Sequence, residues 1–473
     1  MSPPETLTFP SKGVNPDTPP LSLDDYAVTS NGFLPSDPPL KKLPSPYYAP
    51  WESLIESLST SLAHKTLRHE VDQLPVLSTD HLATEQEWRR ACVVLGFLAH
   101  AYIWGGDAAA EVLPPQIALP LLAVSHHHGI PPVATYASVN LWNFHPPSSS
   151  DPTDLDALHA LHTFTGTPDE SWFYMVSVAM EARGAYLIPL MLRALDAVRS
   201  RQHQTVASAL EEMASCIGAL GILLDRMDER CSPQVFYHRI RPFLAGSKNM
   251  AAAGLPRGVF YDEGSGRGEW RQLRGGSNGQ SSLVQFLDVV LGVEHAATGS
   301  STPDTTGRYS GSGQRKLGQG QGPAGVSFHQ EVRGYMPAPH RRLLEDVAAR
   351  YPGGMRKGVG ELLAVGEGEE GLSEEQVAVR EAFQAATGAL AEFRNKHLQM
   401  VTRYIIIPSR QPNWCQGVNL ATASSKVKGL SATEGRAVPA GGGELTGTGG
   451  TALLPFLKQS RDETFQAGRL QVR

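Results

Sequence analysis

Apolar residues recur at intervals of three and four along most of the chain, the spacing that lines one face of a helix. The segment TEQEWRRACVVLGFLAHAYIWG opens with Thr84 and carries Glu87 three residues on, which predicts a capped helix start. LPPQIALPLLAVSHHHGIPP and VATYASVNLWNFHPP continue the pattern, broken by prolines. TPDESWFYMVSVAMEARGAYLIPLMLRALDAV starts with Thr167 as N-cap, Pro168 in the first turn and Glu170 at the capping-box position, and Pro189 should kink or split it. Further helices are expected over SALEEMASCIGALGILLDRMDE, over SPQVFYHRIRPFLAG from Ser232 and Pro233, and over SLVQFLDVVLGVEH. The longest runs from Ser373, paired with Gln376, through Ile407 and stops before Pro408, about 50 Å at 1.5 Å per residue. No repeat and no strand alternation stand out, so the fold class is all-α.

The pattern fails in three places. Residues 1–46 are rich in Pro and Ser and read as a disordered arm. Residues 262–281 and 296–326 are rich in Gly and Ser, and the second reads as a flexible insertion, as does 410–446. With 473 residues the chain has room for more than one core. The net charge of −6 comes without any Lys/Arg stripe, which argues against nucleic acid. The four cysteines, Cys92, Cys216, Cys231 and Cys415, are widely spaced and form no CxxC pair, so neither a disulfide framework nor a zinc site is expected. The first twenty residues lack the pattern of a signal peptide, and no apolar run reaches the roughly 18 residues of a membrane span. These features describe a cytoplasmic protein without membrane contact.

Candidate chemistry begins at His397. Phe393, Met400, Val401 and Tyr404 share its helix face, so an imidazole sits within an apolar stripe. A buried, hydrogen-bonded histidine and an axial haem ligand both fit that pattern. Arg394, one turn earlier, suits either a haem propionate or a surface ion pair. Phe173 and Ser177 are four apart; the serine either bonds its own backbone or lines an apolar pocket. Phe236 and Arg241 are five apart and diverge on an ideal helix, unless Pro242 distorts it. An arginine beside aromatic rings can clamp a carboxylate. GGSNGQSS (275–282) and GTGGT (447–451) permit close backbone approach to a ligand but lack the ending of a phosphate loop. The His126–His127–His128 run reads as surface.

These pieces, in this order, resemble the indoleamine 2,3-dioxygenase family. The strings are PPVATYASVNLWNF, SWFYMVSVAMEA, FYHRIRPFLAG, GVFYDEG with GGSNGQSS, FLDVVLG, RGYMPAPHR, KHLQMVTRYIIIP and GTGGT. The resemblance implies a two-domain helical fold, with 47–160 as a small cap and 161–473 as the large haem-binding domain. It implies haem b with His397 as proximal ligand, and Arg394 near a propionate, paired with Asp288. Tyr136, Ser138, Phe173 and Ser177 would line the distal pocket. Phe236 would pack on the indole, and Arg241 would bind the substrate carboxylate. Gly276, Ser277 and Thr448 would surround the ammonium group and the haem edge. The expected activity is cleavage of the indole 2,3-bond of L-tryptophan by O2 to N-formylkynurenine, with no obligatory acid or base, an electron donor for the ferric haem, and a monomeric chain.

Two residues depart from the family pattern. Asn278 stands where a small apolar residue is usual, and Pro242 directly follows the key arginine. Either could alter the pocket, so the alternative is a haem protein that binds O2 with little turnover. A helical scaffold without haem, with His397 buried and satisfied, is a third reading.

Overall fold

A computed structural model describes residues 21–146, 152–296, 327–364, 371–411 and 453–470. The expected insertions 296–326 and 410–446 fall almost wholly outside these residues, as does Thr448. Among the described residues, the helices of ten residues or more are α1 (Glu85–Trp104), α2 (Pro115–His128), α3 (Pro168–Arg183), α4 (Leu187–Arg199), α5 (His203–Asp225), α6 (Ser282–Leu291), α7 (Ala338–Arg350), α8 (Gly354–Ala364), α9 (Glu374–Val401) and α10 (Leu453–Ala467). The fold class is all-α, with a few short strands. One hydrophobic cluster runs through the chain from Val28 to Ala467. Helix α9 lies at its centre, packed against α5 on one side and α10 on another.

Local signals set the helix starts. Thr84 accepts from the Glu87 N–H, and Thr167 accepts from the Glu170 N–H. Ser373 and Gln376 close a full reciprocal capping box at the head of α9. The glutamates behave differently from a box partner. Glu87 accepts from the Ala83 N–H, and Glu170 from the Phe164 and Thr165 N–H groups, so each carboxylate ties down the incoming chain instead.

Pro189 does split its helix, but the break falls earlier, over 184–186, and leaves the proline in the first turn of α4, where its missing N–H costs nothing. Gly184 marks the gap because Leu283 of α6 fills the space that a Cβ would need. At the other end of the fold, α9 does not run on to Pro408. It ends at Val401, passes into a π-helical segment, Thr402–Ile406, and closes with the turn Ile407–Ser409, which takes Pro408 near its start. The wider π turn absorbs the register change that the proline demands.

Three expectations need correction. Residues 21–46 are no loose arm: Val28, Phe33, Leu34 and Leu43 are buried in the core, and the Tyr26 hydroxyl donates to Asp346 of α7 at 2.7 Å. Proline content hid four apolar anchors. The Gly-rich stretch 262–281 contains part of a hairpin, β4 (Val259–Gly264) paired antiparallel with β5 (Arg267–Arg271), and β1 (Val112–Leu113) joins β4 in parallel. Val259 and Tyr261 alternate inward, and Gly264 and Gly266, both at positive φ, make the turn. Strands β2 (Phe144–His145) and β3 (His159–Ala160) form a separate two-stranded pair. Finally, two stretches, 168–199 and 203–230, do reach the length and hydropathy of a membrane span. The first is two helices with a break, 72% buried, and both stretches contribute core residues.

Cys92, Cys216 and Cys231 are buried free thiols, consistent with the absence of a disulfide framework among the described residues. Loss of the α9 cap is a direct test of the fold's local wiring. Ser373→Ala should lower unfolding free energy by about 1 kcal/mol, read from denaturant midpoints, and leave the cavity described next unchanged.

Candidate active site

Three π-helical segments converge on one cavity: Ala137–Leu141, Phe236–Ile240 and Thr402–Ile406. Val139 and Asn140, Phe236, and Tyr404 and Ile405 respectively reach its wall. Such i→i+5 turns are rare and frequent at functional sites. The one at Phe236 resolves the facing problem posed by the sequence. A π turn returns the fifth residue to nearly the same side, and Phe236 and Arg241 both line the cavity. Pro242 sits in the first turn of the short helix Arg241–Leu244, where no N–H is required. It ends the π segment without turning the arginine away.

The cavity measures about 230 Å³ and is mainly apolar. Phe173 and Phe236 meet at 4.7 Å, and Phe236 and Tyr404 at 5.8 Å, forming one aromatic wall. Ser177, one turn from Phe173 on α3, adds a hydroxyl. Arg241 is almost fully buried, and desolvation pulls its pKa down to about 10, so it stays charged at neutral pH. Its guanidinium lies over the Tyr237 ring at 5.5 Å.

On the opposite side, α9 brings Phe393, Arg394, His397, Met400 and Val401 to the cavity. The His397 ring makes no hydrogen bond to the described residues. Burial, with Arg394 nearby, lowers its pKa to about 4, so the imidazole is neutral with a lone pair available at pH 7. A satisfied core histidine would instead show a hydrogen-bond partner. The donor set fits a haem: one neutral imidazole among apolar walls, with a cation at the edge for a carboxylate. That cation, Arg394, donates to both Asp288 oxygens at 2.6 and 2.7 Å and also bonds Thr464. Burial opposes the charge on Asp288, but Arg394 and His295 hold its carboxyl below the usual range. Asp288 therefore stands behind Arg394, outside the cavity lining.

The GGSNGQSS loop supplies Gly276, Ser277 and Asn278 to the wall. Gly275 explains the close approach: a Cβ there would meet the Leu244 carbonyl oxygen at 2.0 Å and the Gly246 nitrogen at 2.5 Å. The loop is pressed backbone to backbone against the end of the Arg241 helix. Asn278, foreseen as a departure, does face the cavity.

Ser138 does not line the cavity. Its hydroxyl accepts from the Thr135 N–H and donates to the Thr135 carbonyl, both at 2.9 Å, so it braces the entry to the first π segment. Tyr136 does line it, and points to a residue that sequence reasoning missed. The Tyr136 hydroxyl donates to Glu181 Oε1 at 3.0 Å, and Ser281 donates to the same oxygen at 2.6 Å. Phe173, Ser177 and Glu181 follow at intervals of four on α3, so the helical period was the available signal. Burial raises the Glu181 pKa to about 7, against the lowering effect of its hydrogen bonds. His329, which lines the cavity beside Arg394 and stacks on His295 at 3.9 Å, was also missed.

The sequence matches the family model for indoleamine 2,3-dioxygenase over residues 22–467. The chain belongs to the indoleamine 2,3-dioxygenase family. It is an oxidoreductase of the dioxygenase class. It is 38% identical to an indoleamine 2,3-dioxygenase of Penicillium citrinum, covering 94% of this chain and 89% of the relative. It is 37% identical to the indoleamine 2,3-dioxygenase of Saccharomyces cerevisiae, over 93% and 92%. A 6-hydroxytryptophan 2,3-dioxygenase of Fusarium equiseti is 36% identical, over 94% and 98%.

Glu181 gives the family cavity a titration signature. Its folded pKa, about 7, lies above the unfolded value, so its contribution to stability is complete below about pH 4.5 and is lost as pH rises towards 7. Glu181→Gln should remove that loss. Between pH 4.5 and 7.5 the variant should gain roughly 2–4 kcal/mol relative to the parent protein, by chemical denaturation at both pH values. Parallel pH profiles for the two proteins would contradict the assignment.

Proposed function

We propose that this chain holds haem b through His397 and cleaves the indole 2,3-bond of L-tryptophan with O2, giving N-formylkynurenine. The observation that carries the reading is a neutral, unbonded His397 lining the same apolar cavity as a buried arginine. Reduced haem supplies the binding and activation of O2, and an external electron donor keeps it ferrous.

The chain's own residues orient and exclude. Arg241 pairs with the substrate carboxylate; buried and charged, it makes a stronger bond than it would in water. Phe236 and Phe173 hold the indole by their faces. Ser177 adds a hydroxyl to the pocket over the distal face, and Gly276 and Ser277 stand at the ammonium group and the haem edge. Thr448, outside the described residues, completes this set by family resemblance. Arg394, anchored by Asp288, presents its charge to a haem carboxylate. In this reading residues 47–160, which bring Tyr136 and Val139 to the cavity, form the cap, and 161–473 the haem-binding domain. Holding the indole in a reactive pose can lower a barrier by roughly 7–11 kcal/mol. No side chain has to transfer a proton.

Two substitutions test the reading. His397→Ala should lose the Soret band of the purified protein, or shift it strongly; an unchanged spectrum would remove His397 from the iron. Arg241→Ala should keep haem yet reduce kcat/KM for tryptophan at least ~10-fold, about 1.4 kcal/mol. Indoles without a carboxylate should be far less affected. If tryptophan kinetics survive in the Arg241 variant, Arg241 does not hold the substrate carboxylate; if the parent protein binds O2 without turnover, the O2-binding alternative gains.

A further inference from the structure

The His126–His127–His128 run lies at the end of α2, where Gly129 turns the chain with positive φ. Two of the three side chains are not idle surface. His127 and His128 both turn to Glu85, the first residue of α1: His127 Nε2 is 2.8 Å from Glu85 Oε2, and His128 Nδ1 is 3.4 Å from Oε1. One candidate ligand atom from each residue lies within 4.8 Å of the others. Tetrahedral ligands on a zinc-sized ion sit about 3.3 Å apart at bond lengths near 2 Å. The cluster is thus close to coordinating separation.

Both imidazoles are held in place by indole rings. His127 stacks on Trp88 at 4.2 Å with planes 7° apart, and His128 lies against Trp142 at 4.6 Å. His128 is buried, and its Nε2 has no hydrogen-bond partner. A second cavity of about 210 Å³ opens here, lined by Phe33, Glu85, His128, Trp142 and His340 among others, and shares no lining residue with the first. Burial works against the charge on Glu85, but bonds from His128 and His127 hold its pKa down at about 2. Arg89 also donates to Glu85 Oε1, at 3.3 Å, which leaves Oε2 as the coordinating oxygen.

We propose that Glu85, His127 and His128 bind a divalent transition-metal ion of the zinc class, fastening the start of α1 to the end of α2. Two neutral imidazoles and one carboxylate are the ligand types such an ion takes. Glu85 and His127 are exposed, so a fourth position stays open to solvent and the ion exchanges freely.

The experiment is calorimetric titration of Zn2+ into the chelator-washed, haem-loaded full chain. One ion per chain should bind at these residues. Glu85→Gln and His128→Ala should each weaken that binding at least tenfold, and His126→Ala, next door and outside the cluster, should leave it unchanged. His127 is exposed, so His127→Ala carries the test if the buried His128 variant fails to fold. Absence of Zn2+ binding at 100 µM, a concentration of about that order being ample for a three-ligand site, overturns the proposal. So does binding indifferent to the Glu85, His127 and His128 substitutions, which would place the ion elsewhere, for example at Asp288, His295 and His329.

Discussion

The pairing of Arg394 with Asp288 fixes the geometry on which the candidate site depends. It is buried, doubly hydrogen-bonded, and joins α9 to α6. Removing one partner of such a pair strands a charge and costs about 3–5 kcal/mol. His397 is three residues further along α9, so whatever holds Arg394 also sets where the imidazole points. From α6 the connections continue. Ser281 caps that helix by accepting from the Val284 N–H, and donates to Glu181, which receives the Tyr136 hydroxyl. Two sets of polar contacts, Arg394 with Asp288 and Ser281 with Glu181 and Tyr136, are thus joined through α6.

The remaining wall is made by irregular helix. Prolines at 242 and 408 follow two of the three π segments, and each proline falls near the start of a new turn. The distortion places Phe236 with Arg241 and lets Tyr404 reach Phe236. A regular α-helix at either position would rotate one member of each pair away. Irregularity here is a means of aiming side chains.

Much of this was legible because it is local. Thr84, Thr167 and Ser373 announce helix starts within four residues, and the apolar stripe around His397 needs no distant partner to be seen. The five-residue spacing of Phe236 and Arg241, with Pro242 next, correctly signalled a distorted helix. What escaped depends on separation in sequence or on two signals in conflict. Glu181 acquires its role from Ser281, a hundred residues later. Ser138 was assigned to the pocket, yet its partner is a backbone group three residues away. In β4 and β5 the glycines of the turn masked the inward alternation of Val259 and Tyr261. In residues 21–46 frequent proline outweighed a few apolar anchors that turn out to be buried.

The back-to-back contact of Gly275 with Leu244 and Gly246 has a consequence for redesign. Because no side chain separates the two strips of backbone, neither can shift without carrying the other. The loop bearing Gly276, Ser277 and Asn278 and the turn bearing Arg241 therefore form a single module. A graft from a relative with different substrate preference would have to transplant both pieces together. Exchanging the loop alone would pit a foreign backbone path against a carbonyl that has no room to yield.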